Sequence, residues 1–190
     1  MTLKVKPKNS IAIKICGITD LLQSKAIAQM GANAIGIIGV ESSPRFVEPS
    51  KRKNIFAQLK YLSKDLERVL VVADMADSQF DLFLKGEGAP TIVQLHGNES
   101  KQRCAYLRKK YSHIKWWKAL RIKRKKDLFL INNYESNVDA ILLDAWSLKS
   151  MGGTGSRIPI NWINEIQINS PLLIAGGISE EWIHQLLEKI

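Results

Sequence analysis

The sequence predicts an α/β protein built from seven successive strand–helix units with a parallel sheet. Short apolar runs alternate with segments of helical periodicity along the 190 residues. The runs are almost continuously apolar, which is typical of strands that helices bury on both faces. The predicted strands lie at 11–15, 34–40, 68–73, 91–95, 114–120, 138–143 and 172–175. The predicted helices lie at 20–30, 49–62, 77–85, 100–110, 124–133, 159–166 and 179–189.

Two architectures fit these seven units: an open doubly wound sheet, and a TIM (β/α)8-type barrel of which only seven strand–helix units are present. Polar residues follow the ends of all seven strands, where a barrel places its active site. A doubly wound sheet concentrates its functional residues near one switch point, and no Gly-x-Gly-x-x-Gly motif follows the first strand. The pattern therefore favours a single barrel domain over residues 1–190, incomplete at its C terminus.

The composition is that of a globular protein, with 45% hydrophobic and 24% charged residues. Two cysteines do not make a disulfide framework and indicate a reducing compartment. The sequence shows no signal peptide and no apolar stretch long enough to span a membrane. We therefore expect a cytoplasmic protein that does not interact with membranes.

The net charge of +10 is distributed unevenly. Residues 101–126 contain 12 Lys or Arg and no acidic residue, whereas the remaining 16 basic and 18 acidic residues nearly balance. This basic block is either a nucleic-acid footprint or the solvated face of two surface helices and a loop. No nucleic-acid-binding motif accompanies it, so we expect no nucleic-acid partner. A basic rim also attracts a phosphorylated small-molecule substrate.

Two residues at predicted strand ends are candidates for proton transfer. Cys16 closes the first strand, where its thiol is either accessible for chemistry or a small, inert core residue. Asp144 follows the apolar run 140–143, and a partly desolvated carboxylate at such a position suits a general acid. Its alternative roles are a helix cap and an ordinary surface aspartate.

Five further residues are candidates for substrate binding. Arg45 follows a proline turn and is suited to a bidentate pair with a carboxylate, and His96 precedes a glycine in a loop. Gly155, Gly176 and Gly177 lie in glycine-rich turns that can offer backbone N–H groups to a phosphate. Each also has a purely structural alternative: Arg45 as a surface arginine, His96 as a structural histidine, and the glycines as parts of tight turns. No cluster has metal-ligand spacing, and we expect neither a metal nor a cofactor.

Short motifs occur in a characteristic order along the chain. They are KICGIT (14–19), SPRFV (43–47), VQLHGNES (93–100), LLDAW (142–146) with GGTG (152–155), and AGGIS (175–179). Each is weak alone, but their joint order and spacing resemble the phosphoribosylanthranilate isomerase family of tryptophan biosynthesis. The resemblance implies a (β/α)8 barrel that converts N-(5-phosphoribosyl)anthranilate to 1-(2-carboxyphenylamino)-1-deoxyribulose 5-phosphate, an Amadori rearrangement.

The same resemblance implies a role for each candidate residue. Asp144 would be the general acid that opens the ribose ring, and Cys16 the general base that removes the C2′ proton. Arg45 would hold the anthranilate carboxylate, with His96 beside the ligand. The phosphate would lie near three glycines, namely Gly155, Gly176 and Gly177.

Family members continue with an eighth strand and a last helix, whereas the last helix predicted here lies at 179–189. The alternative to an active isomerase is therefore a truncated, non-catalytic barrel remnant that binds ligand weakly or not at all. We expect the chain to be a monomer or a homodimer.

Overall fold

The computed structural model describes residues 11–145 and 157–188, and in them all seven predicted strands are present. The strands are β1 Lys14–Cys16, β2 Ala34–Ile38, β3 Glu67–Val72, β4 Ile92–Leu95, β5 Lys115–Ile122, β6 Ala140–Ala145 and β7 Leu172–Ala175. The helices are α1 Leu21–Gln29, α2 Pro49–Leu62, α3 Asp77–Phe83, α4 Lys101–Lys110, α5 Leu130–Tyr134, α6 Ile160–Ile163 and α7 Glu180–Leu187. Two 3₁₀ helices, Lys125–Phe129 and Glu135–Asn137, flank α5.

The strands are hydrogen-bonded in sequence order, β1-β2-β3-β4-β5-β6-β7. The β1–β2, β4–β5, β5–β6 and β6–β7 pairs are all parallel. Since a helix lies between consecutive strands, each connection is of the βαβ type that parallel pairing requires. The predicted α/β class with alternating strands and helices is confirmed.

The chain divides into two compact units. The first comprises Met1–Leu70 and Phe80–Thr91, and the second comprises Val71–Gln79 and Ile92–Ile190. Strand β3 and helix α3 contribute residues to both units. The assignment of residues 1–190 to one barrel domain stays a prediction.

In the first unit, β2 is buried along its whole length, and α2 buries Ile55, Phe56 and Leu59. The largest fully buried side chains there are Ile35, Ile37, Ile55, Phe56, Leu59, Leu70 and Phe80. Strand β1 is more open, because Ile15 and Cys16 are both exposed. Asp20 begins α1 as its N-cap, and its carboxylate accepts a hydrogen bond from the backbone N–H of Gln23 at 2.9 Å.

In the second unit, the strand register aligns the polar strand ends. Lys118 of β5 lies opposite Leu95 of β4, and Arg121 lies opposite Asp144 of β6. Asp144 in turn lies opposite Ala175 of β7. Because the carboxyl ends of parallel strands meet at one edge, this register gathers Asp144 and the turn after β7 in one place.

Two predicted helices are shorter or tighter in the structure. The predicted helix 124–133 is a 3₁₀ helix followed by α5, because the Asp127 carboxylate accepts from the backbone N–H groups of Lys123 and Arg124 and tightens the first turn. The predicted helix 159–166 contains only the single turn of α6. Its sequence is rich in Ile and Asn, which have modest helix propensity.

Candidate active site

Cys16 ends β1, and its thiol is exposed. The interpretation of Cys16 as a buried, inert core residue is therefore wrong. The chain's other cysteine, Cys104, is fully buried in α4, and burial raises the pKa of its thiol to about 11. Of the two thiols, Cys16 alone is placed for chemistry with a dissolved reactant.

Arg45 lies next to Cys16 within the first unit. Its guanidinium Nη1 donates to the carbonyl oxygen of Cys16 at 3.4 Å, and the same group lies directly over Gly17. The backbone N–H of Arg45 donates to Ser43 Oγ at 3.2 Å, which fixes the turn that carries it. The predicted binding arginine and the predicted base therefore share one neighbourhood.

In the second unit, Asp144 lies beside His96. His96 Nε2 is 3.4 Å from Asp144 Oδ2, and both side chains are largely buried, with exposed fractions of 16% and 14%. The other ring nitrogen, Nδ1, is 2.9 Å from the amide nitrogen of Gln94. If that amide donates to Nδ1, the proton of a neutral imidazole is on Nε2, which is buried and forms no hydrogen bond within the described residues.

Gly176 borders Asp144 and leaves no room for a side chain. Its φ is +90°, a conformation that favours glycine. A Cβ atom at Gly176 would lie 2.7 Å from Cβ of Ala145 and 3.1 Å from Oδ1 of Asp144. Only a glycine therefore allows the turn after β7 to approach the end of β6 this closely.

Gly177 and Ser179 form the turn between β7 and α7, and Arg157 binds both. Arg157 Nε donates to the Gly177 carbonyl oxygen at 2.9 Å, and Nη2 donates to Ser179 Oγ at 2.8 Å. Ser179 also caps α7 by accepting from the backbone N–H of Trp182. Gly155, the third predicted phosphate-binding glycine, lies outside the described residues.

A buried ion pair fixes the turn that carries His96. Lys118 Nζ is 2.9 Å from Glu99 Oε2, and the two side chains are only 3% and 2% exposed. Lys118 also donates to the carbonyl oxygens of Leu95 and Gly97 at 3.3 and 2.8 Å. Arg121 Nη2 adds a hydrogen bond to the His96 carbonyl oxygen at 3.1 Å. Side chains of two β5 residues, Lys118 and Arg121, therefore fix the loop that follows β4.

At least half of the Lys and Arg side chains in the basic block 101–126 are paired with carboxylates. At least six of its twelve Lys and Arg side chains form ion pairs: Arg103, Arg108, Lys110, Lys118, Arg124 and Lys125. A nucleic-acid footprint requires cations that are available to phosphates. These pairs favour the interpretation of the block as a solvated face over that as a nucleic-acid footprint, although Lys118 itself is buried.

Two classes of site are not found in the described part of the chain. No group of three or more His, Cys, Asp or Glu side chains is arranged to hold a metal ion within residues 11–145 and 157–188. No helix in the same ranges is long and apolar enough to span a membrane.

A family model described as N-(5′-phosphoribosyl)anthranilate (PRA) isomerase matches residues 13–190. The chain belongs to this family. Its relatives named N-(5′-phosphoribosyl)anthranilate isomerase include that of Rippkaea orientalis, which is 39% identical over 180 residues, covering 94% of this chain and 81% of the relative. That of Trichodesmium erythraeum is 38% identical over 180 residues, covering 93% and 76%.

The solved phosphoribosylanthranilate isomerase of Thermotoga maritima has the same fold. It superposes with a TM-score of 0.82 at 25% identity, covering 95% of this chain and 84% of the other. The phosphoribosylanthranilate isomerase of Thermus thermophilus gives a TM-score of 0.76 at 24% identity, covering 94% and 82%. The predicted TIM-barrel-type class is confirmed.

Membership of the phosphoribosylanthranilate isomerase family confirms the predicted enzyme class, an isomerase of tryptophan biosynthesis. The alternative of a non-catalytic remnant receives no support from these matches. The residue roles inferred from the resemblance stay predictions.

Three structural partners of the site were not predicted from the sequence. Lys118 could have been noticed in the sequence, because a lysine inside the apolar run 114–120 needs a buried partner. That partner is Glu99, which lies in the motif VQLHGNES. Nothing in the sequence around Arg157 indicates its contact with Gly177, because only the folded chain brings Arg157 to the turn after β7.

Proposed function

We propose that this chain rearranges N-(5-phosphoribosyl)anthranilate to 1-(2-carboxyphenylamino)-1-deoxyribulose 5-phosphate, with Asp144 as general acid and Cys16 as general base. The observation that carries the proposal is the family match over residues 13–190. A related phosphoribosylanthranilate isomerase of the same fold was crystallised with reduced 1-(o-carboxyphenylamino)-1-deoxyribulose 5-phosphate, an analogue of this product.

Ring opening is the first step, and Asp144 supplies its proton. The protonated carboxyl group transfers a proton to the ribose ring oxygen while the bond between that oxygen and C1′ breaks, leaving a Schiff base between C1′ and the anthranilate nitrogen. His96 Nε2, 3.4 Å from Asp144 Oδ2, lies beside the carboxylate that remains.

Proton removal from C2′ is the second step, and Cys16 is the base. Its thiolate takes the C2′ proton, and the electron pair of the C–H bond neutralises the Schiff base to give an enolamine. The enolamine then tautomerises: the C2′ hydroxyl loses its proton and C1′ gains one, which gives the ketone. No net oxidation occurs, and the reaction consumes no cofactor.

The remaining candidate residues bind the two ends of the substrate. Arg45, whose guanidinium lies beside the end of β1, pairs with the anthranilate carboxylate. Gly176 and Gly177 with the N-terminus of α7 receive the phosphate. The family resemblance adds Gly155 to the phosphate-binding residues. A phosphorylated small molecule is thus the only partner that the chemistry requires.

We further propose that the protein acts in the cytoplasm as a monomer or homodimer, without a nucleic-acid partner. Two cysteines without a disulfide framework are compatible with a reducing compartment. A related isomerase of Thermotoga maritima is described as dimeric, with monomeric variants.

The assignment is tested by following the fluorescence decay of freshly prepared N-(5-phosphoribosyl)anthranilate. We expect Asp144→Asn and Cys16→Ala each to lower kcat by at least about 100-fold, because a positioned acid or base contributes roughly 10²–10⁴ in rate. Cys104→Ala is the matched control, since Cys104 is a buried thiol with no role in the reaction. Equal rates for the wild type and Asp144→Asn would refute the assignment of the acid.

A further inference from the structure

Lys14 and Cys16 lie on the same face of β1. Side chains alternate along a strand, so residues two apart point to the same side. In the parallel β1–β2 register, Cys16 lies opposite Gly36 and Lys14 lies opposite Ala34. The lysine and the cysteine therefore extend over the same part of β2.

The ends of the two side chains converge on Gly36. A Cβ atom at that glycine would lie 2.8 Å from Cys16 Sγ and 3.1 Å from both Cε and Nζ of Lys14. The sulfur and the ammonium nitrogen are thus within about 6 Å of each other, the range in which an opposite charge favours an ionised form. Any larger residue at position 36 would push them from this arrangement.

Among the residues that the structure describes, the Lys14 ammonium has no other polar partner. Its residue is half-buried, and no hydrogen bond or ion pair of its side chain occurs within residues 11–145 and 157–188. A half-buried ammonium keeps part of its hydration, and a nearby anion stabilises it further. The thiolate form of Cys16 is such an anion.

The other charged groups around Cys16 are few. Arg45 Nη1 reaches the Cys16 carbonyl oxygen at 3.4 Å, and β2 carries no ionisable side chain. Asp20, after the turn that follows β1, is exposed and caps α1 through the N–H of Gln23. The charged side chains with a recorded approach to Cys16 or to Gly36 opposite it are therefore the cations Lys14 and Arg45.

We propose that Lys14 is a positioning residue for the reaction: its ammonium stabilises the thiolate of Cys16 and so keeps the general base able to accept a proton. The inference rests on the proposed function, in which Cys16 is the base. A thiolate rather than a thiol is the basic species, and a neighbouring lysine favours it. Lys14 itself forms no bond with the reacting atoms and acts through Cys16.

The thiolate population can be measured without substrate, through the pH dependence of Cys16 alkylation by iodoacetamide, read by peptide mass spectrometry. We expect Lys14→Met to move the midpoint of this profile to higher pH and to slow alkylation at pH 7 by about tenfold, the equivalent of one pH unit. Lys14→Arg, which keeps the charge, should restore most of the wild-type profile. Cys104 should stay unmodified in every variant and thereby report that the fold is intact, since it is buried.

Lys60→Met is the matched control, because it removes one positive charge from the exposed last turn of α2. Its alkylation profile should coincide with that of the wild type. A Lys14→Met profile that coincides with the wild type overturns the inference and leaves the assignments of Cys16 and Asp144 untouched.

Kinetics separate the inference from the proposed function. We expect Lys14→Met to lower kcat at neutral pH with little change in KM, and to recover activity as the pH rises. A higher KM with an unchanged alkylation profile would show that Lys14 binds substrate instead, which overturns the inference. An active Cys16→Ala enzyme would refute the base role itself, whatever the alkylation profile shows.

Discussion

Lys118 and Glu99 show how a buried charge pair sets the geometry of the site. The ammonium binds the Glu99 carboxylate and two carbonyl oxygens of the turn after β4, and Glu99 Oε1 accepts from the backbone N–H of Asp74 at 2.9 Å. Asp74 is held with a positive φ of 50°, and its Oδ1 accepts from the backbone N–H of Asn98 at 2.8 Å. His96 lies in the same turn, so its position next to Asp144 depends on these bonds.

Lys118→Met should lower the free energy of unfolding by about 3–5 kcal/mol, because it leaves the Glu99 carboxylate buried without a counter-charge. Urea denaturation measures the change. In the double variant Lys118→Met/Glu99→Gln, the free energy of unfolding should fall by less than the sum of the losses in the two single variants. The reason is that each single variant already removes the interaction between the two charges. Lys109→Met, on the exposed side of α4, is the control, and equal stability of the two lysine variants would contradict the prediction.

Helices α3 and α4 are joined by one carboxylate. Asp77, in the first turn of α3, accepts from Tyr106 Oη at 2.7 Å and binds Lys110 Nζ at 3.0 Å, and it also pairs with Arg103. The hydrogen bond from Tyr106, followed by those from Lys110 and Arg103, holds the pKa of Asp77 well below its usual value. Three residues of α4 thereby fix the start of α3.

Asp77→Asn should lower the Tm at pH 7, and the difference from the wild type should shrink as the pH falls. The folded state has the lower pKa, so this carboxylate stabilises the protein fully above its unfolded pKa of about 3.9 and progressively less below it. Thermal unfolding of both proteins from pH 7 to pH 3 measures the effect. Asp65→Asn, which removes an exposed carboxylate, should show no such convergence; a pH-independent difference for Asp77→Asn would contradict the assignment.

At the scale of the whole molecule, the basic block 101–126 lies inside the region that matches the isomerase family. The net charge of +10 is concentrated in residues 101–126, yet at least half of the cations there are paired with carboxylates. The family match runs from residue 13 to residue 190 and so includes this block.

We expect this chain to show no specific affinity for random duplex DNA at physiological salt. Fluorescence anisotropy of a labelled duplex, titrated with protein at several salt concentrations, measures this. Weak attraction that disappears above about 0.1 M salt fits a screened surface charge. Tight binding whose logarithm falls steeply with the logarithm of salt concentration would indicate several phosphate contacts and contradict the prediction.

The sequence by itself determined the class, the order of the elements and the candidate residues. Apolar runs predict buried parallel strands because period and composition are local properties, and the motif around Cys16 marks the end of β1 for the same reason. Helix lengths were less predictable: residues 159–166 form only the single turn of α6, since packing rather than propensity sets where a short helix ends.

Only the tertiary structure decided which side chains meet. The contact of His96 with Asp144, the pairing of Lys118 with Glu99, and the approach of Lys14 to Cys16 over Gly36 depend on strand register. Register is a property of two strands together, and a shift by one residue would turn each of these side chains to the opposite face. The sequence therefore names Cys16 and Asp144 as candidates, whereas only the fold shows that Cys16 is exposed and that His96 lies beside Asp144.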